Sequence, residues 1–424
     1  MSLSPYFLEK NAEQATEFLQ RALRWAQDFP ACLFLDNQGI AYPGGGFPKM
    51  LAVGRPLHPP AQSSPFQWLE EQWAEHGWLF GYLGYDLKNH LEDLNSQNKR
   101  LSLLPDMGFF APEHFIQWRE DGRIALYSST PEQVEREVLS TPLERSHKPM
   151  ETITFNPLTS KEDYLTTVRR LQPHILEGDI YEINYCMAFE AEAQSFDPVL
   201  AYQKLRARSP MPFSAFLKMG EHYALCASPE RFLRKDDNAL ISQPIKGTIK
   251  RGRDSQEDEQ LKQQLRNSEK EQAENLMIVD LVRNDLARSA AFGTVEVGEL
   301  FGIYTFEQLH QMISTVKAEL RPGFSPIQAL ANAFPMGSMT GAPKVKSMEL
   351  IERYEEARRG AFSGAIGFLS PDGNFDFNVV IRSQFYEAAQ QKLSYQVGSA
   401  ITYDANPEYE YEECLLKARG LGIF

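Results

Sequence analysis

The chain has 424 residues, enough for roughly two to three ordinary domains or one large decorated one. Apolar residues make up 42% and charged residues 24%, the balance of a soluble globular protein. The formal net charge of −14 argues against a nucleic-acid partner, and no Lys/Arg block marks a membrane surface.

An anionic substrate would need a local exception to this field, such as a metal ion or a placed Arg. Cys32, Cys186, Cys226 and Cys414 are far apart with no CxxC pair. They are expected to be reduced, buried thiols of a cytoplasmic protein. The opening run lacks a basic segment followed by an apolar one, so no signal peptide is expected. No apolar run approaches the ~20 residues that span a bilayer.

In chain order, Glu13 to Trp25 has helical spacing, and Cys32-Leu33-Phe34-Leu35 reads as a buried strand. Arg55 to Phe66 holds four prolines and is expected to be irregular. The polar stretch from Thr141 to Ser160 marks the boundary between residues 1–150 and 151–424. A helix is expected over 160–177, then strands over 181–190 and 222–227. Residues 232–234 and 239–243 flank a turn and read as a hairpin. One long helix should run from 256 to 290, and another should begin near Pro343. A second hairpin is expected from 361–370 and 374–385, then a strand over 392–403 and a last helix over 406–418. Many antiparallel strands with interspersed helices predict an α+β fold.

Two helices carry carboxylates three apart: Glu271 with Glu274, and Glu410 with Glu413. Residues at that spacing share a helix face, where like charges repel unless something neutralises them. Two such faces meeting would suit a hard cation such as Mg²⁺. Each pair also has a plainer account: Glu410 sits near a helix N-terminus, which favours acids, and Glu271 ends a solvated charged run. Residues 337–344 look like a phosphate loop but depart from Walker A at Pro343 and Val345. Arg382, within Val379-Val380-Ile381-Arg382, either snorkels at a strand edge or grips a carboxylate. Glu230 is a candidate general acid if buried, or else an ion-pair partner of Arg231. Lys246, alone, reads as a surface lysine at a strand end.

Together these segments closely resemble the chorismate-utilising family of anthranilate, aminodeoxychorismate, isochorismate and salicylate synthases. The matching runs span 160–421 and include 177–184, 228–232, 244–248, 274–285, 337–344, 364–367 and 410–417. The N-terminal third matches weakly, through residues 78–85.

The resemblance implies large antiparallel sheets packed as a sandwich with helices outside, and Mg²⁺ on the ring carboxylate of chorismate. It implies Glu274 and Glu413 as metal ligands, with Glu271 and Glu410 acting through water. Arg382 and the backbone around Gly398 would hold the pyruvyl carboxylate, with Lys417 a further charge near the metal. Glu230 would protonate the departing C4 hydroxyl, and Thr248 and Thr340 would line the pocket. Phe362 stands where several relatives carry Tyr, and Gln311 where anthranilate synthases carry His, with His310 pointing elsewhere.

Two positions separate the reactions. Relatives that activate water carry Lys where this chain has Glu182. Anthranilate synthases carry Ala where this chain has Lys246, as aminodeoxychorismate synthases do. The resemblance thus implies that the Lys246 amine attacks C2 and that ammonia then enters at C4. That chemistry needs a neutral amine, so a depressed Lys246 pKa is expected. None of the cysteines has the surroundings of a glutaminase nucleophile, so ammonia is expected from a separate glutamine amidotransferase subunit. The alternatives are anthranilate synthase component I and a non-catalytic chorismate-binding paralogue.

Overall fold

The computed structural model describes residues 4–60, 63–144 and 153–421, so the expected boundary stretch lies partly outside the described residues. Its strand Ala31–Asp36 shows how the layers form. Ala31, Leu33 and Leu35 enter one hydrophobic core, and Cys32 and Phe34 enter another. That alternation is the period of two that a pleated strand imposes.

Ala31–Asp36 pairs antiparallel with Phe213–Met219 on one side and Met50–Leu57 on the other. One arm continues from Phe213–Met219 through His222–Ser228, Ser383–Glu387 and Lys392–Ile401 to Glu182–Glu192. The other runs from Met50–Leu57 through Met107–Trp118, Leu79–Leu83, Ala365–Leu369 and Phe375–Asn378. It goes on through Arg231–Asp236, Ala239–Gln243 and Leu309–Glu319 to Ile245–Lys250. Among the described residues this is a twenty-stranded, antiparallel sheet. It crosses the sequence division at residue 150 twice, at Ala31–Asp36 with Phe213–Met219 and at Leu79–Leu83 with Ala365–Leu369.

The sheet doubles back on itself. The larger core takes Leu33, Ala215 and Leu217 from one arm and Phe80, Ile313 and Phe377 from the other. The second core lies between the outer face of the first arm and helices. Those helices are Ala12–Ala26, Lys161–Leu176, Pro198–Arg208, Lys344–Tyr354 and Pro407–Leu421. The α+β sandwich with helices outside is therefore borne out. Burying each large apolar side chain contributes roughly 1.5–3 kcal/mol, so these two cores hold the arms in place.

Several elements differ from expectation. Residues 55–57 finish the strand Met50–Leu57, and Pro65 and Phe66 open the helix Pro65–His76. Proline suits both a strand end and a first helical turn. The expected helix over 256–290 is two, Ser255–Arg266 and Glu269–Ala287. The Ser268 side chain accepts from the Glu271 amide, so a cap starts a new helix there. The strand expected over 374–385 is broken into Phe375–Asn378 and Ser383–Glu387. In the break, the amides of Val379 and Val380 bond to the carbonyls of Glu230 and Gly364, and Arg382 takes φ 51°. Arg382 is therefore not within a strand. Glu296–Thr305 and Leu309–Glu319 had no clear sequence signal.

Candidate active site

Glu182 opens the strand Glu182–Glu192 of one arm, and Lys246 is the second residue of Ile245–Lys250 in the other. Lys246 Nζ donates to Glu182 Oε1 at 2.5 Å. A shift in register between Ile245 and Thr248 aims the lysine, with Gly247 at φ 91°. A bulge redirects a side chain, and glycine takes that φ without steric cost.

Arg359 and the loop over 337–342 hold the Glu182 end. The Asn184 amide donates to the Thr340 carbonyl at 2.9 Å, and Ala342 pairs with Glu182. The buried Arg359 guanidinium donates to the Asn184 carbonyl at 2.8 Å, the Met339 carbonyl at 2.5 Å and Glu355 at 2.6 Å. Glu182 is 1% exposed, and its Oε2 has no hydrogen-bond partner among the described residues.

Burial pulls the Lys246 ammonium down, but Glu182, Glu274 and Glu230 outweigh it and hold the amine above the ordinary lysine range. The expected depression is thus corrected. Desolvation is present as anticipated, but the surrounding charges are carboxylates and not cations.

Burial pushes the Glu230 carboxyl up to about 7, against the opposing pull of Ser338 and Lys246. The alternative ion pair with Arg231 does not form. Arg231 instead makes two 2.9 Å bonds to Asp376 and one of 2.5 Å to Gln243.

Glu271 and Glu274 lie on the helix Glu269–Ala287, and Glu410 and Glu413 on the helix Pro407–Leu421. Burial raises Glu271 and Glu410, and the Glu413 charge raises both further. Burial, with Glu182 and Glu271, lifts Glu274 to about 7 against Lys246. Burial also acts on Glu413, but Lys417 at 2.8 Å, with Lys246 and Lys270, holds it below the usual range. Glu271, Glu274 and Glu413 therefore share one electrostatic neighbourhood with Lys246, and Glu410 is tied to it through Glu413. Among the described residues, no three or more His, Cys, Asp or Glu converge as a ready metal group.

The other expected residues each make contacts of their own. Arg382 is half-buried, and burial lowers its guanidinium to about 10. It has no ion pair among the described residues; its polar neighbour is Met211 Sδ at 3.6 Å. Lys417 donates to the Gly398 carbonyl at 2.7 Å. A Cβ at Gly398 would meet Cys186 Sγ at 2.5 Å, so the strand there needs glycine. The Thr340 hydroxyl bonds within its own turn, to the Gly337 carbonyl at 3.2 Å. Thr248 is exposed, and Phe362 is in the larger core. Gln311 is buried with Oε1 unpartnered, whereas His310 turns away to Asp258 and Thr305.

Sequence reasoning missed three contributors: the Glu182–Lys246 bond, the Arg359 clamp, and Lys270, which lies 3.7 Å from Glu274. Only Lys270 carried a signal, being four residues before Glu274 on one helix face.

The family model described as chorismate binding enzyme matches residues 49–421. Aminodeoxychorismate synthase component 1 of Escherichia coli (strain K12) is 36% identical over 364 residues, 85% of this chain and 77% of that protein. Anthranilate synthase component 1 of Thermus thermophilus is also 36% identical, over 81% of this chain and 76% of that protein. The chain spans only 40% of the length of the chloroplastic aminodeoxychorismate synthase of Arabidopsis thaliana, at 36% identity. The crystal structure of anthranilate synthase component I from Streptococcus pneumoniae superposes with a TM-score of 0.77 at 24% identity, over all of this chain and 93% of that one. That last likeness establishes the fold, and the family match with the relatives establishes descent: this chain belongs to the chorismate-binding enzyme family.

Proposed function

We propose that the chain converts chorismate and ammonia to 4-amino-4-deoxychorismate. The observation that carries this reading is a half-buried amine, Lys246, amid Glu182, Glu230 and Glu274. In this reading the Lys246 amine attacks C2. Glu230, protonated up to about pH 7, gives its proton to the departing C4 hydroxyl. Ammonia then enters at C4 and expels the lysine. Arg382, a desolvated guanidinium with no ion pair among the described residues, holds the pyruvyl carboxylate, with the backbone at Gly398 beside it. Thr248, Thr340, Phe362 and Lys417 complete the substrate side.

Carboxylates on two helices, with the Glu413 charge raising both Glu271 and Glu410, are the donor chemistry a hard divalent cation takes, and this supports the reading. Glu274 and Glu413 would hold Mg²⁺ directly, and Glu271 and Glu410 through water. When bound, Mg²⁺ neutralises the ring carboxylate. The component naming of the Escherichia coli relative supports a separate glutaminase as the ammonia source. No described helix is long and apolar enough to cross a membrane, and a cytoplasmic setting is part of this proposal.

Anthranilate synthesis is the second reading, favoured by equal identity to the Thermus thermophilus protein. Incubation of the purified chain with chorismate, Mg²⁺ and an ammonium salt tests both. Aminodeoxychorismate, convertible by a lyase to 4-aminobenzoate, supports the proposal. Anthranilate, isochorismate or salicylate as main product overturns it, and no turnover favours a non-catalytic paralogue.

A further inference from the structure

Lys246 faces a difficulty in the reaction just proposed. A nucleophile must be neutral, yet its surroundings favour the ammonium. Some group must take the proton at the moment of attack and return it when the lysine leaves.

The geometry points to Glu182 as that group: a catalytic base that accepts the Lys246 Nζ proton as the amine attacks and gives it back after the lysine is expelled. Three observations carry this. Glu182 is the one carboxylate at ion-pair distance from Nζ among the described residues, at 2.5 Å. It is 1% exposed, so bulk water does not compete for the proton. Its second oxygen, Oε2, is buried without a hydrogen-bond partner among the described residues. An uncommitted carboxylate oxygen of this kind can take up a proton without breaking another bond. The backbone on either side is held by Ala342, Thr340 and Arg359, which fixes the strand that bears the carboxylate.

The steps balance. The Lys246 ammonium passes a proton to Glu182, leaving a neutral amine and a carboxylic acid. The nitrogen lone pair forms the N–C2 bond, the ring double bond shifts, and the C4–O bond breaks as Glu230 supplies the proton that makes water. Ammonia forms the N–C4 bond, the double bond shifts back, and the C2–N pair returns to Lys246. Glu182 then reprotonates Lys246, and the new C4 ammonium gives its proton to Glu230. The sum is chorismate plus ammonia to aminodeoxychorismate plus water.

Because the proton stays within the pair, the reacting state carries the same net charge as the resting one. Lys246 need not titrate to solvent, and wild-type kcat should show no ascending limb from the lysine. Besides Glu182, the charged groups facing the amine are Glu274 and Glu271 from the helix Glu269–Ala287, Glu230 from the turn before Arg231–Asp236, and Glu413 from the helix Pro407–Leu421. None of them lies within 4.0 Å of Nζ.

The inference rests on the aminodeoxychorismate reading and is tested with Glu182→Gln and Glu182→Asp. Glutamine keeps the size and cannot accept the proton. Expected kcat at pH 7 is about a hundredfold or more below wild type, the ordinary range for a lost acid–base group. An ascending limb should appear, because Lys246 must now lose its proton to water. Glu182→Asp should recover part of the rate without that limb. Competitive labelling with trace acetic anhydride, read by peptide mass spectrometry, follows Lys246 without turnover. Its midpoint should move to lower pH in Glu182→Gln.

Wild-type kcat in Glu182→Gln, a profile without the new limb, or an unmoved labelling midpoint overturns the proposal. Wild-type production of anthranilate overturns the reading beneath it, and product identity separates that failure from the others.

Discussion

Replacing Glu230 with Gln should make the protein less active and, above neutral pH, more stable. Burial lifts this carboxyl from 4.5 to about 7. Each pKa unit corresponds to about 1.4 kcal/mol, so ionising Glu230 in the fold costs about 3 kcal/mol more than in the unfolded chain. The raised value means the folded protein binds this proton more tightly. Its stabilising effect is full below about 4.5 and is lost as pH rises through about 7. Glutamine is neutral throughout. The variant should match wild type near pH 4.5 and exceed it by about 3 kcal/mol at pH 8.5. At roughly 2.1 cal/mol/K per residue over 424 residues, that difference moves the melting temperature by about 3 °C. Calorimetry of both proteins at the two pH values measures it. Turnover supplies the other half: wild-type rate should fall above about pH 7 as the acid ionises, and Gln should lower kcat by about a hundredfold or more with that limb gone. A stability difference that does not change with pH, or a variant with wild-type turnover, would refute the reasoning.

Three other outcomes are expected. Lys246→Ala should lower aminodeoxychorismate formation at low ammonia by at least about a hundredfold, the usual scale for a group acting in the chemical step, measured by the lyase-coupled assay. Arg382→Met should raise the KM for chorismate roughly ten- to a hundredfold, as expected for about 1.5–3 kcal/mol of charge-assisted hydrogen bonding. The fold should survive, because the guanidinium has no ion pair to lose among the described residues. Glu274→Gln should raise the Mg²⁺ concentration needed for half-maximal rate, in a titration from chelator-treated enzyme; an unchanged midpoint removes Glu274 from the metal site.

What the sequence conveyed follows from the range of each signal. Helical spacing is local, so Ala12–Ala26 and Lys161–Leu176 were legible, as was the pair Glu271 and Glu274 on one face. The split at Ser268 hung on one side-chain cap inside an unbroken polar run. The break before Arg382 hung on two amides bonding sideways to Glu230 and Gly364, residues far apart in the chain. Neither leaves a periodic trace.

Charge is the instructive case. The family resemblance pointed to Lys246 as an amine in a chorismate pocket, and burial was expected to lower its pKa. Burial does act that way. But the sign was decided by which charges the two arms of the sheet bring together. Glu182 and Lys246 are 64 residues apart in sequence and sit on strands of opposite arms. Their contact exists only because the whole sheet doubles back. A site at such a seam is set by the sum of many strand pairings, so its residue types can be read locally while its electrostatics cannot. The same dependence implies that a small shift in how the arms pack would change the Lys246–Glu182 separation before it disturbed either strand. Proton exchange between the two should therefore be the property of this site most sensitive to strain in the core.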